Sequence, residues 1–415
     1  MSAAAAWVEP RLDVDKLSYE IFSMLENEFL FGYDDHELFL RSAAAAPAAS
    51  CAVAGRVRVL SVDAAEGVIT GATLARLEAS LRKQSGDPDA RLADFFDLAA
   101  GSGSGGVLAA LLFTRGPDGR PLFSAGEALR LLAKHRRHLA FGAPRKGILG
   151  GLFSRSGGLL RRVFGNTTLR DTLKPVLIPC YDLATGAPIV FSRADAVEAD
   201  GYDFRMEEVC AATCAGPAAV EVRSADGRTM IRAVGGRLAM GNPTAAAVTH
   251  VLNNRHEFPT AGGVEDLLVL SIGGAEAPKP HGKARAPLSA AELVSIASSV
   301  HADVVDQAVA TAFGECRATN YVRIQGYGAV PGTTTAAAEG EGMLTERGLE
   351  SVLFRERKVS ERTNGEKLDL FAAELIKEQE RRKQSTVPAV TMKKTSVTPF
   401  RSSSPTGFTT MASSS

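Results

Sequence analysis

The apolar positions of this chain recur with two different periods. In DVDKLSYEIFSMLENEFLFGYDD, Leu17, Ile21, Phe22, Leu25 and Phe29 fall at helical spacing with acids between them, which predicts an amphipathic helix. The small-residue stretch SAAAAPAASCAVAG follows, broken by Pro47. RVRVLSVD (56–63) then alternates and is rich in valine, as a strand should be. GATLARLEASLRKQSG reads as the helix after it, with Gly86 placed to cap its C-terminus. LADFFDLAAG approaches a glycine-serine run, and GGVLAALLF continues from that run as a helix.

Further along, KPVLIPCYDL and APIVFSR predict strands on either side of a turn at Thr185-Gly186. EVRSADGRTMIRAV predicts a hairpin turning at Asp226-Gly227. DLLVLSIGG reads as a buried strand, and SAAELVSIASSVHADVVDQAVATAF as a long helix. Strands alternating with helices predict an α/β fold with parallel pairs. The expected organisation is an N-terminal amphipathic helix and Ala-rich linker over 1–55 and a main domain over 56–330. A helical extension over 331–382 and a Ser/Thr/Pro-rich tail without structure over 383–415 complete it.

Composition narrows the functional classes. Forty-seven basic residues balance forty-seven acidic ones, so bulk charge suggests no polyanionic partner, and aromatics are too few for a nucleic-acid stacking surface. Five cysteines without a CxxC pair fit reduced thiols in a cytosolic setting, and the histidines show no metal-site spacing; no metal is expected. The N-terminus lacks a basic n-region and an apolar h-region, and no uncharged apolar run reaches the roughly 18 residues of a span. One region departs from the neutral average. Leu129 to Arg170 contains no acid but ten bases: Arg130, Lys134, Arg136, Arg137, Arg145, Lys146, Arg155, Arg161, Arg162 and Arg170. The runs GILGGLF and GGLLRRVF lie among them, which predicts contact with an anionic membrane surface through Arg136, Arg137, Arg161 and Arg162.

The chemistry centres on DLAAGSGSGGVLAALLF, which has the outline of a nucleophile elbow, a sharp strand-to-helix turn that presents a reactive side chain. The flanking glycines are Gly101 and Gly105, and the central position is Gly103. Together with KLSYEIFSMLENEFLFGYDD, LSVD, LKPVLIPCYDL, FSRADA, EVCAATCAGP, GNPTAAAVTHVLNN, LSIGG and ATNYVRIQ, this ordered series resembles the plant patatin-like lipid acyl hydrolases. It is most similar to the class III subgroup, in which the elbow serine is often absent. The resemblance implies a patatin-type fold, a mainly parallel central sheet flanked by helices. It also implies hydrolysis of phospholipid or galactolipid esters, with membrane lipids or fatty acyl esters as partners and no cofactor.

That chemistry requires an elbow serine, an aspartate as its base and a glycine-rich loop for the oxyanion. The serine position falls on Gly103, and the aspartate position in AVGGRLAMGNP falls on Gly235. The oxyanion loop reads Ala64, Ala65, Glu66 and Gly67, where a carboxylate would repel rather than stabilise an oxyanion. Ser104 and Ser102 are the candidate displaced nucleophiles, although neighbours on a tight turn point in different directions. Asp226 is read as a turn residue, Cys214 as core packing and His250 as structural. The expectation is a protein of the cytoplasm, peripheral at membranes, with ester hydrolysis weak or absent.

Overall fold

The protein, seen in a computed structural model, is described over residues 55–64, 67–139, 155–216, 218–273, 290–325, 336–350, 358–385 and 388–392. The chain divides into two units, 1–52 and 53–415, and every described residue belongs to the second. The expected helix around Leu17–Phe29 and most of the Ala-rich linker lie outside the described residues.

The valine-rich alternation after Gly55 forms β1 (Val57–Ala64), and α1 (Gly67–Ser85) follows it, closed by Gly86 at φ 72°. β2 (Leu98–Gly103) runs directly into α2 (Ser104–Phe113). α3 (Ala125–Leu139) and α4 (Arg155–Phe164) occupy the long excursion before β3 (Val176–Asp182). β4 (Ala187–Ser192) turns back antiparallel on β3. α5 (Met206–Thr213) precedes the hairpin of β5 (Val220–Arg223) and β6 (Met230–Val234). α6 (Thr244–Asn253), β7 (Leu267–Gly273), α7 (Ala290–Ala312) and β8 (Tyr321–Gln325) complete the sheet region. The sheet order is β5-β6-β3-β2-β1-β7-β8, with β4 also on β3, and the run from β3 to β8 is parallel. The mainly parallel α/β architecture read from the sequence is therefore the one observed.

Because the parallel strands are buried on both faces, they read as near-continuous apolar runs. One face, with Leu60, Val62, Ala99, Leu270 and Ile272, packs under Leu74 and Leu77 of α1 and Val107 and Leu111 of α2. The other face, with Val57, Val59, Ala100 and Val269, packs against Val251 of α6 and Val309 and Phe313 of the α7 end. Among the described residues no helix is long and apolar enough to cross a membrane.

The C-terminal extension is only partly helical. α8 (Ala336–Thr345) leads into a two-stranded hairpin, β9 (Arg347–Glu350) and β10 (Lys358–Thr363), before α9 (Asn364–Gln384). A capping box at Thr363 starts α9, the Thr363 hydroxyl accepting from Glu366 N–H and the Glu366 carboxylate from Thr363 N–H. Buried ions fasten this helix beneath the sheet. Asp97 accepts from Arg382 at 2.6 and 2.8 Å and from Arg58 at 3.3 Å, while Arg56 reaches Glu374 at 3.1 Å and Glu378 at 3.3 Å. Burial alone would raise the Asp97 pKa, but the two guanidiniums outweigh it and hold it at about 2. Ordered chain also passes the expected boundary at Lys383. Ala389 is buried, Val390 packs near Phe258, and Thr391 N–H donates to the Glu257 carbonyl at 2.7 Å. Small apolar side chains inside a polar stretch make that docking; residues 393–415 lie outside the described residues.

Candidate functional site: a glycine elbow at the carboxyl edge of the sheet

The site forms where β1 and β2 end together, with Asp63 registered on Ser102 and Ala64 on Gly103. Gly103 caps the N-terminus of α2 at φ 62° and ψ −130°, a left-handed φ that side chains other than glycine adopt only at a cost. The turn is also tight. A Cβ on Gly105 would stand 2.2 Å from the Val62 carbonyl oxygen, and one on Gly101 would stand 2.3 Å from the Gly105 carbonyl oxygen. The strained, closely packed elbow is thus complete in its backbone, and its central residue has no side chain to present.

Gly235 follows β6 and opens the short helix Gly236–Ala239. Its surroundings leave no room for a carboxylate: a Cβ there would lie 2.5 Å from the Ala215 carbonyl oxygen. At Gly236 a Cβ would lie 2.2 Å from Thr213 Oγ1 and 2.4 Å from the Pro179 carbonyl oxygen. Thr213, fully buried at the end of α5, connects the two halves. Its Oγ1 accepts the Gly103 N–H at 3.0 Å and abuts Gly236, so one hydroxyl pins the elbow to the loop beside it. Sequence reasoning missed Thr213. It stands within EVCAATCAGP next to the more conspicuous Cys214, and nothing in its spacing marks it.

Of the two displaced-serine candidates, Ser102 does not assemble with a base among the described residues. Ser102 is fully buried, and its Oγ has no hydrogen-bond partner. Its register partner Asp63 is held bidentate by Arg323, with Arg323 Nη2 to Asp63 Oδ2 at 2.8 Å, and Arg323 Nη1 also donates to Ser271 Oγ at 2.7 Å. Burial opposes the Arg323 charge, but Asp63 more than compensates and raises the Arg323 pKa, while burial raises the Asp63 pKa against the pull of Arg323; the bidentate geometry is what commits the carboxylate to the guanidinium. A carboxylate saturated by a guanidinium is not free to take a proton from serine. The same face continues as a buried hydroxyl network in which Thr244 Oγ1 meets Ser61 Oγ and Ser271 Oγ, each at 2.8 Å. Ser104 is buried as the first residue of α2 and lies against Gly67, where a Cβ would meet Ser104 Oγ at 3.3 Å.

The remaining candidates lie away from the elbow centre or partly outside the described residues. Ala64 ends β1 and Gly67 opens α1; Ala65 and Glu66 lie outside the described residues. Asp226 sits in the β5–β6 turn, accepting from Ser224 Oγ at 2.6 Å and Arg228 N–H at 3.0 Å, bonds that lower its pKa. Burial pushes the Cys214 thiol up to about 12, so it is neutral and packs against the main core. Burial also lowers His250, whose ring stands edge-on to Phe258 at 6.2 Å. Among the described residues no group of His, Cys, Asp and Glu could hold a metal ion.

Of the basic segment, Arg161 and Arg162 are exposed on α4, which is anchored by buried Leu160 and Phe164. Arg136 and Arg137 belong to the last turn of α3, with side chains outside the described residues, and 140–154 lie outside them altogether. Arg170 is committed elsewhere, to Asp200 at 2.7 Å and Asp203 at 3.7 Å.

A strand-to-helix elbow at the carboxyl edge of a mainly parallel sheet, with a glycine loop pinned beside it, is the framework of a serine-type acyl hydrolase. The Patatin-like phospholipase family matches residues 64–248. Patatin-like protein 3 of Oryza sativa subsp. indica is 51% identical over 391 residues, covering 89% of this chain and 92% of its own length. Patatin-like protein 7 of Arabidopsis thaliana is 44% identical, covering 93% and 85%. A protein named "Probable inactive patatin-like protein 9", also from Arabidopsis thaliana, is 37% identical, covering 88% and 93%. The chain belongs to the plant patatin-like lipid acyl hydrolase family.

Proposed function

We propose that this member of the family has little or no ester hydrolysis and acts as a lipid-binding or regulatory protein, of the subgroup without the elbow serine. One observation carries the reading: the nucleophile position is Gly103 and the aspartate position, Gly235, is closed off by the Ala215 carbonyl. A relative already named as probably inactive supports it. The ligand class is the acyl lipid that the family handles, and the exposed Arg161 and Arg162 favour a peripheral, anionic membrane surface on the cytoplasmic side. Losing catalytic groups that act as a unit removes roughly 10³-fold or more of the rate. The test pairs two assays on rigorously purified protein. Turnover of a fluorogenic phospholipid should fall at least roughly 10³-fold below a patatin with serine and aspartate, while a fluorescent fatty acyl probe should still bind. A turnover number near the roughly 10 s⁻¹ typical of enzymes would overturn the proposal.

A further inference from the structure

Helix α7 turns an apolar face to solvent. Leu293, Ile296, Val300 and Val304 are 53, 45, 54 and 52% exposed, and Val294 and Ala308 are exposed beside them. The spacing of three, four and four residues, continued by four more to Ala308, draws one straight stripe along the helix. No Lys or Arg occurs between Ala290 and Ala312; the charged residues there are Glu292, Asp303 and Asp306, all acidic. With no cation to draw it to an anionic lipid surface, this face does not suit the membrane that Arg161 and Arg162 fit.

The stripe is instead complementary to itself. Val300 has Ile296 four residues before it and Val304 four after, with Leu293 seven before and Ala308 eight after. A two-fold axis through Val300 sets two copies of the helix antiparallel. Ile296 then meets Val304 of the partner subunit, and Leu293 falls opposite the partner's Gln307, beside its small neighbour Ala308. The antiparallel arrangement also opposes the two helix dipoles favourably, and an interface that pairs a patch with itself is what a two-fold dimer requires. The half-exposed side chains offer about 500 Å² per copy, hence about 1,000 Å² for the pair, at the lower bound of a specific interface. We infer that α7 is the contact surface for a second copy of this chain, in a symmetric dimer centred on Val300.

Sedimentation equilibrium on the full chain between about 1 and 100 μM should show a reversible dimer. Val300→Glu, which sets two carboxylates face to face on the axis, should weaken it at least about tenfold with an unchanged circular dichroism spectrum and melting temperature. Val300→Cys tests the same point without adding charge. Only a residue on the axis meets its own copy, so this variant should form a disulfide-linked dimer on mild oxidation. The control Val359→Cys, equally exposed but on β10, should not. A monomer throughout the concentration range overturns the inference. So does a dimer that Val300→Glu leaves intact, a dimer that Val300→Cys fails to cross-link, or a monomer that floats with phosphatidylcholine vesicles through this face.

Discussion

Restoring the missing serine should not restore an enzyme. Gly103→Ser puts a side chain at φ 62°, a conformation costing about 1–3 kcal/mol for a residue with a Cβ. Because about 1 kcal/mol shifts the melting temperature of a large domain by roughly 2–4 °C, the variant should remain folded and melt several degrees lower. Among the described residues its hydroxyl would still lack a base: Asp63 is held by Arg323, and no side chain extends from Gly235. Adding Gly235→Asp does not complete the dyad. Its Cβ would start 2.5 Å from the Ala215 carbonyl oxygen, an overlap relieved only by backbone movement, for which overpacked sites lose about 1–3 kcal/mol. It would also place a carboxylate beside an acceptor that cannot donate to it. The double variant should therefore be less stable than either single variant and no more active than the parent. The assay is turnover of a fluorogenic phospholipid with melting followed in parallel. A gain of about 10³-fold in Gly103→Ser alone would refute the argument from the missing base. An active double variant as stable as Gly103→Ser would refute the argument that the aspartate position is closed.

Three further outcomes follow from the same geometry. Thr213→Val keeps the shape but strands the buried Gly103 N–H, and should cost about 1–3 kcal/mol in urea unfolding, whereas Thr213→Ser should retain most of the stability. Asp97 has a folded pKa of about 2 against roughly 3.9 in the unfolded chain, so its contribution is full above pH 4 and fades as pH falls toward 2. That contribution is about 2–3 kcal/mol at neutral pH, and in unfolding measured from pH 6 to pH 2 Asp97→Asn should be less stable at pH 6 with a flatter acid limb. Changing Arg161 and Arg162 together to glutamate should weaken binding to anionic vesicles by about 1 kcal/mol or more per charge, with the fold intact; unaltered vesicle binding would leave those arginines as ordinary solvated groups.

The strands and helices around the elbow were legible because parallel strands buried on both faces give continuous apolar runs, as LLVLSIG in β7 does. The hairpins at Thr185-Gly186 and Asp226-Gly227 were legible for a different reason, since glycines at φ 68° and 73° mark the turns themselves. The β9–β10 hairpin was not. Its strands are short, and their alternation is too brief to separate from the helical stretches around it. Nor was the docking of 388–392, because one backbone bond and two small apolar residues leave no composition signal.

At the site, sequence could identify what is absent but not what has replaced it. On the proposed reading the family's serine and aspartate positions fall on Gly103 and Gly235, and that much is readable one residue at a time. The consequence at each position depends on partners more than a hundred residues away in one case and on a carbonyl in the other. At Gly103 the elbow keeps its strained dihedral angles, held by Thr213 and by the close approach of Gly105 to Val62. At Gly235 the Ala215 carbonyl stands where a side chain would begin. The two losses are therefore unequal. The nucleophile side retains the form of a catalytic turn, because packing of β2 and α2 against β1 demands it whether or not a serine is present. On the base side the Ala215 carbonyl takes the space a side chain would need, so hydrolysis would have to be built from the loop after β6 rather than from the elbow.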